Sequence, residues 1–291
     1  MSQRKITEIF AEKDRTFSFE FYPPKTDKGM SNLLNAAEEL ADLGADYFSV
    51  TYGAGGAGSK ATLNVVRELL ERFDVPVMHH LTCVKHTFET IRRELQEMKE
   101  AGVRNIMALR GDPPADDPDF EPGHNQPEYS YELVNIIREW GDWFAIGVAG
   151  FPEGHPLSPT LPLDSRYLKI KENHGADFCA TQLFFENKTY FQFARRVRDA
   201  GVTMRLIPGI LPITNYVRLL EFCMDCGASV PRSVRSEFGP LKDDREATRE
   251  KGIEFAIRQC QELLDGGAPG IHFYCLNKTE PVRSIFKELR T

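Results

Sequence analysis

The sequence predicts one closed (β/α)8 barrel, an α/β fold with its active site at the C-terminal rim of the strands, and three observations point to it. Short apolar, strand-like runs alternate with amphipathic helical runs along the chain, a pattern that gives a parallel sheet. There are eight such runs in 291 residues, the length of one large α/β barrel. Five of them follow a small-residue break: Leu43-Gly44-Ala45-Asp46, Ala101-Gly102-Val103, His174-Gly175-Ala176-Asp177, Ala200-Gly201-Val202 and Gly266-Gly267-Ala268. A glycine just past a helix suits the left-handed C′ position and releases the chain into the next strand.

Taken in order, residues 1–15 are an N-terminal extension, and FSFEFY is the first strand. SNLLNAAEELADL, ATLNVVRELLERF and TFETIRRELQEMKEA carry apolar residues at three- and four-residue spacing and read as helices. Between and after them, YFSVTY, PVMHHLT, NIMALRG, FAIGVA, FCATQLFF, MRLIPG and GIHFY complete the strands. Long loops are expected from Asp112 to Pro127 and from Pro152 to Pro162. No linker divides the chain, so residues 1–291 are read as a single barrel domain. The alternative, an open Rossmann-like sheet, lacks its fingerprint. The early glycine cluster Gly53-Ala54-Gly55-Gly56-Ala57-Gly58 does not fit G-x-G-x-x-G in register and reads as a flexible loop leaving the second strand.

With 36 Lys and Arg against 43 Asp and Glu, the formal charge is −7 and no basic block stands out. This argues against nucleic acid or an anionic membrane as the main partner. No apolar run approaches the ~20 residues that span a bilayer, and MSQRKITEIFAEKDR lacks the apolar core of a signal peptide. Six scattered cysteines read as reduced thiols. A soluble, cytoplasmic protein is expected.

The first strand carries a carboxylate among aromatics. Period-two alternation puts Phe17, Phe19 and Phe21 on one face and Ser18, Glu20 and Tyr22 on the other. On an edge strand Glu20 would face solvent; on a closed barrel it points inward, near the rim where chemistry sits. Reading only the strand ends collects Glu20, Thr51, His80, Thr82, Asp112, His155, Gln182, Asn277 and Lys278. Singly, each has an ordinary structural role: Asp112 would cap a turn before two prolines, and His79 reads as a strand-end histidine. Collected on one rim, they favour a functional site.

Other chemistries lack their residues. There is no P-loop, no G-x-S-x-G elbow and no H-E-x-x-H helix. Cys223-Met224-Asp225-Cys226 is a lone CxxC in a helical run, read as two packed thiols. No strand core supplies an inward lysine for a Schiff base. Glu20 and Asp112 would formally suit a glycosidase, but Trp140 and Trp143 flank a strand start and offer no sugar platform on the rim.

In this order, FSFEFYPPK, SVTYGAGG, HHLTC, NIMALRGDPP, FPEGHP, ATQLFF, IPGILPITN and HFYCLNK resemble the motifs of the methylenetetrahydrofolate reductase family, over about residues 17 to 280. The likeness is to its single-domain bacterial form. The resemblance implies a (β/α)8 barrel holding FAD. NADH or NADPH reduces the flavin and leaves; folate takes its place and 5,10-methylenetetrahydrofolate becomes 5-methyltetrahydrofolate, a methyl donor for methionine biosynthesis. It implies Glu20 as the general acid at N10, its pKa raised by desolvation in an aromatic setting. It implies that Asp112 disfavours the anionic reduced flavin and binds the pterin's amino edge. Implied flavin contacts are Thr51, Tyr52, His80, Arg110, Gly111, Asp112, Tyr129, Phe151, His155, Asp164 and Lys171. Gln182 and Lys278 match folate-binding positions, and Phe222 a ring that stacks on the nicotinamide nucleotide. Phe151 stands where tyrosine is common, Ile170 where a second basic residue occurs, and Lys278 where arginine is usual, replacing a bidentate fork with a point charge. A homo-oligomer is expected, with its order and the choice of nucleotide left open.

Overall fold

A computed structural model describes residues 4–52, 58–113, 117 and 119–290. The Gly53–Gly58 cluster therefore lies outside the described residues, apart from Gly58 at the start of a helix. Nine parallel strands run in the order β7-β6-β5-β4-β3-β2-β1-β9-β8. They are β1 (Thr16–Phe21), β2 (Tyr47–Val50), β3 (Val77–Thr82), β4 (Asn105–Leu109), β5 (Ala145–Gly150), β6 (Phe178–Thr181), β7 (Arg205–Ile207), β8 (Gly209–Ile210) and β9 (Gly270–Tyr274). The expected seventh strand, MRLIPG, is thus two short strands separated by Pro208, and this interruption closes the barrel. β7 pairs with β6 and β8 with β9, while the Pro208 carbonyl accepts from His272 N at 2.9 Å. Proline has no N–H to give a ladder, so the strand changes partner there. Gly209 is required at the join, because a Cβ would lie 2.2 Å from the Thr181 carbonyl oxygen.

The helices are α1 (Ile6–Glu12), at the barrel floor, and α2 (Asp27–Asp42), α3 (Gly58–Arg72), α4 (Phe88–Glu100), α5 (Ser130–Arg138), α6 (Leu161–Asn173), α7 (Asn187–Asp199), α8 (Tyr216–Cys226), α9 (Arg232–Phe238), α10 (Arg245–Asp265) and α11 (Thr279–Leu289), around the sheet. Thr26 and Thr87 cap α2 and α4 through their side chains. Gly44, Gly102, Gly175, Gly201 and Gly267 all adopt positive φ where the helices end, as the five small-residue breaks predict. None of the described helices is long and apolar enough to cross a membrane.

Side chains alternate across the sheet as the pattern requires. Phe19, Phe21, Val77, Leu81, Ile271 and Phe273 belong to the core between sheet and helices, with Phe17 packed against it. Inside the barrel a separate apolar layer joins Tyr47, Met78, Met107, Phe178, Ala180 and Ile207 to Ile6 and Phe10 of α1. The N-terminal helix plugs the barrel floor. Ile6 N donates to Asn105 Oδ1 at 2.7 Å, Phe10 meets Phe178 edge-on at 5.2 Å, and Arg205 donates to the carbonyls of Phe10 and Lys13. Among the described residues, this largely apolar floor contrasts with the other end of the barrel, where the polar side chains of the strands gather.

Away from the rim, Glu172 ties α6 to the turn before β7. It accepts from Thr203 N, Thr203 Oγ1 and Met204 N at 2.7–2.8 Å, and from Lys169 Nζ at 2.8 Å. Burial raises its pKa, but the Lys169 and Thr203 donors outweigh this and hold it at about 2. A depressed folded-state pKa contributes stability above the unfolded value, and that stability is lost as pH falls toward about 2. Glu172→Gln is expected to lower unfolding free energy by about 1–2 kcal/mol at pH 7. It should also weaken the dependence of stability on pH across the acid limb. Urea titrations from pH 7 to 3 check this, and parallel curves for the two proteins would contradict it.

Candidate active site

β1 delivers Glu20 into the barrel mouth. In register it lies beside Ser49 of β2 and Tyr274 of β9, with Ser18 beside His272 one pleat below. Glu20 Oε2 is 3.2 Å from His272 Nε2 and 3.5 Å from His80 Nε2. Ser18 Oγ lies 2.8 Å from His272 Nδ1. An ionised carboxylate only accepts, so His272 carries its proton on Nε2 and takes the Ser18 hydroxyl hydrogen on Nδ1. Ser49 Oγ is 2.6 Å from His80 Nε2. Tyr274 Oη donates to the Thr181 carbonyl at 2.7 Å, leaving Thr181 Oγ1 to accept from Gly209 N at 3.0 Å. The mouth is a ring of polar groups on β1, β2, β3, β6 and β9, each satisfied by a neighbour.

The expected elevation of the Glu20 pKa in an aromatic setting is not what the structure shows. The three phenylalanines turn to the other face, and Glu20 meets two imidazoles and a serine instead. Burial still pushes the carboxyl up, but the hydrogen bond from His272, the electrostatic influence of the His80 and His272 imidazoles, and the Ser49 hydroxyl bring it below the ordinary value. Burial drives His80 down to about 4, so at neutral pH His80 is an uncharged neighbour. Burial, with Glu20 nearby, raises the Tyr274 phenol well above its usual range, which keeps it a neutral donor.

A second cluster lies between β4 and β6. Asp164 and Lys171 stand on α6, almost two turns apart. Asp164 is buried, its pKa raised by burial, and Oδ1 accepts from His155 N at 3.3 Å. Lys171 Nζ donates to the Ala149 carbonyl at 3.0 Å, and burial lowers its pKa. Burial, then Lys171 and Arg110, depress the His155 imidazole, while Asp112 opposes them. Lys171 and Arg110, which donates to the Glu128 carbonyl at 3.3 Å, are thus the cations that His155 feels. Phe151 meets the His155 ring edge-on at 4.5 Å. Tyr129 is 46% exposed and stacks on Tyr131 at 5.9 Å. Gly111 has φ +84, and a Cβ there would press on Thr82 and Val84 at 3.1 Å. This wall of two cations, open aromatic faces and a bare glycine backbone suits the pyrophosphate and rings of a dinucleotide.

The remaining predicted residues are placed around these clusters. Thr51 is half-buried at the end of β2, its N donating to the Phe21 carbonyl at 2.9 Å. Tyr52 turns its hydroxyl to His86 Nε2 at 2.9 Å, under α4. Asp112 is exposed on the loop after β4. Gln182 is half-buried past β6, its Oε1 accepting from Leu183 N at 2.9 Å. Lys278 is exposed at the start of α11, and Phe222 is 37% exposed on α8. Beside Lys278, Asn277 takes φ +55 and clamps Tyr22 by both backbone groups, at 2.8 and 2.9 Å. His79 points away from the mouth into the outer layer, fully buried. Cys223 and Cys226 are free thiols on α8. Sequence reasoning passed over Ser18, Ser49, His272 and Tyr274. The alternation that turned Glu20 inward applies equally to them.

The family model described as methylenetetrahydrofolate reductase matches residues 5–290. Methylenetetrahydrofolate reductase 1 of Schizosaccharomyces pombe is 37% identical over 94% of the chain, though the match covers 46% of that protein. The chain spans about half the length of the yeast and plant relatives it matches. The 5,10-methylenetetrahydrofolate reductase of Pectobacterium carotovorum is 34% identical over 90% of this chain and 86% of its own. Among solved structures, a Clostridium thermocellum protein described as binding two copies of 5-methyl-5,6,7,8-tetrahydrofolic acid superposes with a TM-score of 0.65. It covers 97% of this chain and 96% of its own at 16% identity, a likeness of fold. The match over nearly the whole length, in a barrel with a polar mouth, shows that the chain belongs to the methylenetetrahydrofolate reductase family.

Proposed function

We propose that this single barrel domain reduces 5,10-methylenetetrahydrofolate to 5-methyltetrahydrofolate at the expense of NADH or NADPH, with Glu20 as the general acid at N10. The observation that carries this reading, beside family membership, is a buried carboxylate in the mouth held by His272 at 3.2 Å and flanked by His80. FAD, if bound, would supply two-electron hydride-carrier chemistry between the nucleotide and the folate. Arg110 and Lys171 would hold its pyrophosphate, with Tyr129, Phe151, His155, Asp164, Gly111, Thr51, Tyr52 and His80 along its length. Tyr52 would contribute through its backbone or ring, since its hydroxyl is committed to His86.

The methylene carbon that bridges N5 and N10 accepts hydride poorly until the C–N10 bond opens. A proton delivered to N10 makes it a leaving group, and the electron pair of the broken bond stays on that nitrogen. The N5-iminium cation that remains accepts the hydride. Glu20 would deliver that proton. In the open mouth its hydrogen bonds favour the carboxylate, but a pterin covering the mouth excludes water and strengthens the burial that raises its pKa. The uncharged His80 does not counter this at neutral pH. His272, hydrogen-bonded to Glu20 through Nε2 and to Ser18 through Nδ1, keeps the carboxyl aimed. Gln182 would bind the pterin, Asp112 its amino edge and the cation, Lys278 the folate's glutamate tail, and Phe222 the nucleotide. A homo-oligomer in the cytoplasm completes the reading.

Two experiments test it. The purified protein is expected to carry FAD or to take it up, giving a flavin absorption spectrum, and Lys171→Ala should weaken that retention at least severalfold. A protein that takes up none sinks the reading. Glu20→Gln is expected to keep NAD(P)H oxidation with an artificial acceptor and to lose folate reduction by about 10²- to 10⁴-fold. In the wild type, folate reduction should slow as pH rises and Glu20 loses its proton in the complex, while the nucleotide half-reaction keeps its own profile. Survival of both half-reactions in Glu20→Gln would remove Glu20 from its role.

A further inference from the structure

The loop that leaves β5 grips two helices on different sides of the mouth. Glu153 Oε2 accepts a hydrogen bond from Ser229 N at 2.8 Å, just past the C-terminus of α8. Two residues on, His155 N donates to Asp164 of α6 at 3.3 Å. Between them the chain reverses at Gly154, whose φ is +91 and whose N donates to the Phe151 carbonyl at 3.0 Å. The same loop presses Pro156 against the end of α8. Gly227 caps that helix with φ +71, and a Cβ there would lie 2.6 Å from Pro156 Cγ.

α8 packs beside the mouth residue Tyr274. Leu219 and Cys223 bury its inner face in a cluster that also packs against Tyr274, while Phe222 and Met224 stand exposed. Its N-terminus is capped by Asn215. Its C-terminal end, which carries Phe222, is fastened by Ser229 and Gly227 to a loop whose other side touches the His155 and Asp164 wall. A carboxylate accepting from a backbone N–H makes a charge-assisted bond, stronger than a neutral one. The loop thus sets the spacing between the wall proposed to hold flavin and the helix proposed to meet the nucleotide.

We propose that Glu153 is a positioning residue for the nicotinamide nucleotide. By holding Ser229 it fixes the end of α8, and through it the Phe222 ring, at the distance from the flavin wall that nucleotide binding requires. The inference rests on the function proposed above. Folate, held from Gln182 and Lys278 on other loops, depends on it less.

The test uses the FAD-loaded protein and rapid-mixing flavin reduction across NADH and NADPH concentrations. Glu153→Ala is expected to raise the half-saturating concentration of the preferred nucleotide about fivefold. The limiting rate should stay within about twofold, because the reacting groups are untouched. Reoxidation by methylenetetrahydrofolate should also be unchanged, and Glu153→Gln, which keeps an acceptor oxygen, should recover most of the loss. Amide exchange at Ser229 should accelerate in Glu153→Ala without any ligand. An unchanged half-saturating concentration, an equal loss in Glu153→Gln, or faster Ser229 exchange with no effect on the nucleotide would each overturn the proposal. A wild-type protein that takes up no flavin would instead overturn the function on which it rests, while Ser229 exchange still reports the tether by itself.

Discussion

A closed sheet offers a charged side chain no edge from which to reach water, and the arrangement of this protein follows from that constraint acting on Glu20. Strand alternation turns the residue inward while Phe19 and Phe21 fill the layer beneath the helices. Left alone, a buried carboxylate is costly. Here the neighbouring strands supply donors: His272 from β9 at 3.2 Å, with His80 from β3 and Ser49 from β2 close by. The same constraint bears on the largely apolar floor. With α1 and the Met78, Met107 and Phe178 layer below, polar groups gather at the other end.

Closure depends on a single irregularity. A two-part strand lets β7 finish the ladder with β6 and β8 begin one with β9. That hand-over brings β9, and so His272 and Tyr274, beside β1. The barrel's geometry and the environment of its central carboxylate are therefore set by the same few residues, Pro208 and Gly209 among them.

Much of this was legible in the sequence, and the limits are physical. Helix ends were marked by glycines whose positive φ only that residue adopts cheaply. The inward turn of Glu20 followed from counting by twos. The break in MRLIPG was foreshadowed by a Pro-Gly pair, but its consequence, a change of partner, depends on which strand lies opposite. The direction of the Glu20 pKa was not legible, because the deciding partner is 252 positions away in the chain. Flanking aromatics gave a local clue with the wrong sign. Tyr52 shows the same limit: its hydroxyl is claimed by His86, 34 positions on, an orientation no local pattern encodes. Phe222, recognised only by motif, lies exposed on a helix surface, and Asp112 and Lys278 lie exposed past strand ends, where fold imposes least.

Glu20, held as a carboxylate in the open mouth, is proposed to gain a proton when a folate covers it. Infrared difference spectroscopy of the flavin-loaded protein, with and without bound folate at neutral pH, reads this directly. A protonated-carboxyl C=O band is expected to appear on binding in the wild type and to be missing in Glu20→Gln. A wild-type complex in which Glu20 stays a carboxylate throughout the active pH range would contradict it.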